Sequence, residues 1–224
     1  MEATAKKGYL SDVEVRILGC LIEKELTTPE YYPLTVNALT NACNQKSNRD
    51  PVVMYSQISV EQTVRGMRDK GLIVEVDGAG SRTRKYRHRY RDLTGLSHAE
   101  TVALVVLMLR GPQTVGEIRG RSGRMHEFDG LEEVTRTLEA LHERDPSLVV
   151  KLPRQAGRKE NRYMHLLAGE PDIDEPAPEP SRAGSALVPE YDERIDKLEN
   201  EVRELRGEIA ALREELKTFR TQFE

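Results

Sequence analysis

The residues in this chain best able to do chemistry are cations set close together. Arg82, Arg84, Lys85, Arg87, Arg89 and Arg91 crowd into the stretch behind the turn-forming run Asp77-Gly78-Ala79-Gly80. Cations spaced this way on the return arm of a hairpin can neutralise a phosphate backbone, which gives affinity and register without reading sequence. Upstream, Gln57, Glu61, Gln62, Arg65 and Arg68 share the polar side of a helix whose apolar stripe is Val60, Val64 and Met67 at i, i+4, i+7. Glutamine matches the major-groove edge of adenine and arginine that of guanine. Lys46 and Arg49 stand in a polar loop, 44–51, just ahead of that helix. They can touch phosphate from there. The competing reading of the loop is a turn held by asparagine side chains on the backbone. The candidate nucleic-acid contacts are therefore Lys46, Arg49, Gln57, Gln62, Arg65, Arg68, Arg82, Arg84, Lys85, Arg87 and Arg89. Glu61 on the same face repels phosphate, and the helix is less basic than the hairpin, so a protein partner is the competing reading. The nucleic-acid reading requires the hairpin cations to be open to solvent rather than taken up by acids of the same molecule.

These side chains need a frame, and the hydrophobic spacing supplies one. Ser11 and Glu14 have capping-box spacing ahead of a helix that buries Val13, Ile17, Cys20 and Leu21 and ends near Leu26. A shorter helix fits Leu34 to Cys43. The helix that follows starts at Ser56 or Ser59 and stops at Gly71. Leu72 to Val76 reads as a strand, and Arg82 to Arg91 as its return. The same order then restarts. Ser97 and Glu100 cap an apolar helix (Val102, Val105, Val106, Leu109), Thr114 and Glu117 cap a short one, and Leu131, Val134, Leu138 and Leu141 mark a third. Val149 to Leu152 and Arg162 to Leu166 flank Gly157 as a second hairpin, in which Tyr163-Met164-His165 echoes Tyr86-Arg87-His88. Helix, helix, helix, hairpin is the winged-helix order, here in tandem over 10–92 and 93–169, and packing of the two gives each small unit core that it lacks alone.

The net charge of −4 hides an asymmetry. Residues 1–92 carry +3, residues 93–169 +1, and residues 170–224 −8. Local field governs docking on phosphate, so the acidic tail does not exclude it. The second unit reads differently from the first. Its third helix has Asp129, Glu132, Glu133 and Glu139 against Arg136 and is expected to face protein. Its basic residues stand instead in the runs Arg119, Arg121, Arg124 and Arg154, Arg158, Lys159, Arg162, which leave its hairpin able to touch DNA. No P-loop, metal-ligand cluster or nucleophile elbow is present, Gly78-x-Gly80 has no helix behind it, and no catalytic residue, metal or cofactor is expected. Cys20 and Cys43 read as small buried hydrophobes. With no run of transmembrane length and no secretory leader, the chain reads as soluble and cytoplasmic, with residues 1–9 a loose leader.

After Gly169 come five prolines and several acids through Pro189, read as a disordered linker over 170–189. Residues 190–224 follow a heptad. Ile195, Val202, Ile209 and Leu216 occupy a, and Leu198, Leu205, Leu212 and Phe219 occupy d. The flanking pairs Arg194–Glu199, Glu201–Arg206, Glu208–Arg213 and Glu215–Arg220 are all opposite in sign, which favours a parallel two-stranded coiled coil.

Several runs carry a resemblance. Ile17-Leu18-Gly19-Cys20-Leu21-Ile22-Glu23-Lys24, Thr27-Thr28-Pro29, Tyr32-Pro33-Leu34 and Ala42 to Val52 resemble the YceH-like family of bacterial proteins. So do Leu109-Arg110-Gly111-Pro112-Gln113-Thr114 and Gly157 to Leu166. The resemblance spans about 10–169, implies two winged-helix domains and carries over no catalytic residue. Dimerisation rests on the heptads alone. The expected fold is mainly α with small β-hairpins (α+β), with two tandem winged helix-turn-helix domains, a linker and a C-terminal coiled-coil helix. The expected function is that of a homodimeric regulator binding double-stranded DNA through the first unit. The alternative is a non-enzymatic scaffold whose winged helices bind protein.

Overall fold

Two helices open the two halves of the chain, and both are closed by the same reciprocal cap. Helix α1 (Asp12–Thr27) starts where the Ser11 hydroxyl accepts from the Glu14 amide and the Glu14 carboxylate accepts from the Ser11 amide at 2.8 Å. Helix α5 (His98–Arg110) repeats this with Ser97 and Glu100, again at 2.8 Å. Both are buried nearly all round, as helices without a polar stripe must be. They pack on each other. A Cβ on Gly19 would lie 2.9 Å from Leu109 Cδ2 and 3.4 Å from Met108 Cβ, so glycine is what permits this approach. The computed structural model describes residues 9–76, 83–154 and 160–170. Residues 9–170 belong to one compact unit with a single hydrophobic core drawn from both halves.

In the first half, β1 (Leu34–Thr35) leads into α2 (Val36–Cys43), capped by Thr35. Then α3 (Gln57–Asp69), capped by Ser56, leads through Gly71 at φ 73° into β2 (Ile73–Val76) and β3 (Lys85–His88). The strands form an antiparallel sheet in the order β1-β3-β2. After α4 (Tyr90–Thr94) and α5, the second half continues with α6 (Val115–Ser122), capped by Thr114, α7 (Leu131–His142), β4 (Val149–Lys151) and β5 (Tyr163–His165). The chain is α+β, mainly helical with small antiparallel sheets.

The halves agree residue by residue. Leu34 faces Tyr86 in the first sheet, and Gln113 faces Tyr163 in the second, each just ahead of the threonine that caps the next helix. Ile73 faces His88, and Val149 faces His165. The capping carboxylates also repeat their outer partners: Glu14 meets Lys70 at 2.6 Å past the end of α3, and Glu100 meets Arg144 at 3.1 Å past the end of α7.

Three expectations needed adjustment. The second helix begins at Val36 and not Leu34, because Leu34 and Thr35 are drawn into the sheet by β3. The return strand stops at His88, and Tyr90–Thr94 turns into a short helix closed by Gly95 at φ 60°. The loop 44–51 is a braced turn. The Asn44 side chain donates to Tyr55 O and accepts from Tyr55 N, both at 2.8 Å, and the Asp50 amide donates to Leu109 O at 2.9 Å. The expected glycine turns, Arg82, Arg158, Lys159, the linker and the heptad residues Ile195, Leu198, Val202, Leu205, Ile209, Leu212, Leu216 and Phe219 lie outside the described residues.

Candidate nucleic-acid interface

Helix α3 owes its orientation to three buried side chains, Val60, Val64 and Met67, none more than 1 % exposed. That stripe turns Ile58, Gln62 and Arg65, at i, i+4, i+7, to the solvent side. Gln57 stands exposed at the first helical position, where the Ser56 hydroxyl accepts from the Ser59 amide at 3.1 Å. Gln57 and Gln62 make no side-chain hydrogen bond among the described residues. The arginines of the helix are engaged. Arg65 pairs with Glu61 at 2.6 Å, and Arg68 reaches across to Glu75 on β2 at 2.9 Å. Charge analysis of the sequence alone passed over Ile58, 70 % exposed, and Met54, 94 % exposed, which stand beside these glutamines. The signal was present as apolar residues out of phase with the buried stripe.

Strand alternation divides the hairpin cations between two faces. Tyr86 and His88 point into the core, and Lys85, Arg87 and Arg89 fall on the other side of the strand, with Arg87 and Arg89 exposed. Neither arginine has a side-chain partner among the described residues. Arg84 lies on the core-side parity, beyond the core's edge, and shares Glu75 with Arg68 at 3.1 Å. Its side chain remains 66 % exposed. Among the described cations, Arg87 and Arg89 are open and Arg84 shares Glu75 with Arg68 of α3; the hairpin tip, 77–82, lies outside the described residues. Surface pairs of this kind are weak enough to be exchanged for phosphate.

Lys46 is exposed, but Arg49 is removed from the candidate contacts. Its side chain is buried, and all five N–H donors are used inside the protein. Glu23 accepts twice, at 3.0 and 2.5 Å, and Ala42 O, Asn48 O and Gln45 Oε1 accept the others at 3.1, 2.8 and 2.9 Å. The arginine is an internal brace between the 44–51 loop and α1, with no donor left for a phosphate.

The second half presents different chemistry on the same frame. The outward residues of α7 include Glu132 and Glu139, with Arg136 between them. Its cations are partly consumed: Arg162 pairs with Glu117 at 3.2 Å, and Arg121 lies 3.8 Å from the same carboxylate and bonds Gln113. Arg124 and Arg154 stay exposed.

The matched histidines are core groups. His88 is buried, accepts from the Tyr90 amide through Nδ1 at 3.2 Å and meets Glu25 through Nε2 at 3.0 Å. Burial pulls its pKa down, partly offset by Glu25. Burial pulls His165 down further, to about 4, with only a weak opposing pull from Asp12. Cys20 and Cys43 are free and buried. Hydrogen bonding to Cys20 and burial push the Cys43 thiol up. Among the described residues no group of three or more His, Cys, Asp or Glu is placed to hold a metal ion, and no helix is long and apolar enough to cross a membrane.

Fold and surface together define an α+β protein of two matched halves, with exposed arginines, unpaired among the described residues, on the hairpin of the first. The chain belongs to the bacterial family described as a protein of unknown function, DUF480, which matches residues 10–158. This agrees with the YceH-like resemblance. It is 52 % identical over 216 residues to a UPF0502 protein of Geobacter sulfurreducens, covering 96 % of this chain and 98 % of that one. It is also 52 % identical over 196 residues to a UPF0502 protein of Koribacter versatilis, covering 88 % and 90 %. With 96 % of the chain aligned, the Geobacter relationship extends into the C-terminal heptads, beyond the span of the earlier resemblance.

Proposed function

We propose that this protein is a non-enzymatic DNA-binding regulator of transcription, built from two winged helix-turn-helix units and acting as a homodimer. The observation that carries the reading is the pair Arg87 and Arg89, exposed and unpaired among the described residues, on the hairpin that follows α3. In this reading α3 enters the major groove and the hairpin is the wing, with Arg82, Arg84, Lys85, Arg87 and Arg89 along the backbone and Lys46 on a flanking phosphate. The second unit, whose third helix is acidic, faces protein.

Dimerisation is assigned to the heptads of 190–224, on their spacing and the sign of their flanking charges alone. Two copies joined this way double the binding sites. Removal of 190–224 is expected to give a monomer in sedimentation, and a persisting dimer would reject that seam.

Genomic footprinting of the intact protein beside the Arg84→Ala/Lys85→Ala/Arg87→Ala/Arg89→Ala variant tests the function. Discrete footprints that vanish with the variant are expected. Their absence from the intact protein would favour the scaffold reading, in which the winged helices bind protein.

A further inference from the structure

We propose that α3 reads A·T base pairs, with the Ile58 side chain packed on a thymine methyl group and Gln62 bonded to a neighbouring adenine. This rests on the DNA-binding reading above and adds to it the class of sequence recognised.

The argument starts from what the outward face of α3 offers. Ile58 and Met54 are large apolar side chains 70 % and 94 % exposed, and Val52, 53 % exposed, lies next to them in sequence. Of the three, Ile58 belongs to α3 and lies between Gln57 and Gln62 in sequence, exposed glutamines with no side-chain hydrogen bond among the described residues, whereas Met54 and Val52 precede the helix. Thymine's methyl is the distinctive apolar group of the major groove, and a glutamine amide matches the paired donor and acceptor of adenine. Isoleucine and glutamine side by side therefore complement A·T pairs.

Guanine is disfavoured by the same face. Its major-groove edge presents two acceptors, which call for arginine or lysine. The arginines of α3 must first give up a surface ion pair, Arg65 with Glu61 at 2.6 Å and Arg68 with Glu75 at 2.9 Å, a small cost that the unpartnered glutamines do not carry. Ile58 and Gln62 are one helical turn apart, about 6 Å along the axis. Base pairs rise about 3.4 Å, so the thymine and the adenine lie within about two steps of each other.

The test uses the full chain and DNA selected by it from a randomised duplex. Recovered sites are expected to carry an A·T core. Replacing each thymine in turn by deoxyuridine removes only the methyl group, and at one position this should weaken binding by about four-fold, the worth of one buried methyl. The Ile58→Ala protein should bind the thymine and uracil duplexes alike at that position while keeping its salt-dependent affinity for random DNA. A G·C core, or a wild-type protein indifferent to every thymine-to-uracil exchange, overturns the assignment. Salt-dependent binding with no sequence enrichment overturns it too and leaves the DNA-binding reading standing. No binding to any duplex overturns both.

Discussion

The two halves of the molecule share a frame and differ in what they show to solvent. Matching their third helices by the buried triplets, Val60, Val64 and Met67 against Val134, Leu138 and Leu141, sets Ile58 against Glu132, Gln62 against Arg136 and Arg65 against Glu139. Matching the hairpins by register sets Tyr86 against Tyr163, His88 against His165 and Arg87 against Met164. Every one of these positions that faces the core keeps its character, whereas those that face out gain, lose or reverse a charge. Core packing tolerates little change, whereas a solvent-facing side chain away from special features changes stability by only about 0.5 kcal/mol. One architecture can therefore carry a face suited to phosphate and another that repels it.

Four changes would break or sharpen that contrast. The largest effect is expected at Arg49, the brace of the first half. Arg49→Met strands the Glu23 carboxylate in the interior and should cost about 3–5 kcal/mol in denaturant unfolding. Because α1 and α5 share a core, the loss should shift a single transition. Two separate transitions would mean that the halves fold independently.

The second separates the matched histidines by pH. His165 is held neutral down to about 4, so between its ordinary 6.5 and about 4 the unfolded chain takes up a proton that the folded chain refuses. Its contribution is therefore lost as pH falls through that window, by at most about 3 kcal/mol. His165→Phe should flatten the pH dependence of the melting temperature there. His88→Phe should flatten it less, since Glu25 offsets part of the burial.

The third exchanges the two faces. Ile58→Glu gives α3 the carboxylate that α7 carries and should weaken duplex binding by roughly ten-fold or more, through repulsion from phosphate. Glu132→Ile should leave affinity within about two-fold. A gain of roughly ten-fold from Glu132→Ile would place the second half on the DNA as well.

The smallest effects concern the repeated ion pairs. Burial raises the Glu100 carboxyl, but Arg144 and the Ser97 amide hold it below its ordinary range, and Glu14 is held down in the same way by Lys70 and Ser11. These contributions are present at neutral pH and lost as the carboxylates protonate in acid. Arg144 grips Glu100 through two nitrogens, and Lys70 is about half exposed. Arg144→Met should cost about 1–2 kcal/mol at neutral pH, and Lys70→Met under about 1 kcal/mol. The reverse order would mean that neither the second hydrogen bond nor the lower exposure of Arg144 sets the strength of these pairs.

Much of the frame was legible because it rests on local rules. Ser11, Ser97 and Thr114 announced their helices through the glutamate three residues on, and Tyr86 and Tyr163 marked matching strand positions. What escaped reading depended on contacts distant in sequence. Arg49 looked like a surface cation because its partner Glu23 is 26 residues away. Leu34 looked helical because its strand partner is Tyr86. Glu75 read as a strand residue, with no hint that it would gather Arg68 from the helix and Arg84 from the opposite strand. In the candidate site, the exposed glutamines and Arg87 and Arg89 could be chosen from charge and period alone. Ile58 was legible only through its phase, out of step with Val60, Val64 and Met67, and an isoleucine in a helix is ordinarily taken for core.

The central claim, that the first half engages the phosphate backbone through its open arginines, is tested most directly by affinity for a duplex measured across a range of salt concentrations. The wild-type protein should give a straight descending line of log affinity against log salt. Arg87→Ala/Arg89→Ala should flatten its slope by roughly 1.8 per protomer, and Arg124→Ala/Arg154→Ala should leave it unchanged. Identical slopes for wild type and Arg87→Ala/Arg89→Ala, or no salt-dependent binding at all, would contradict it.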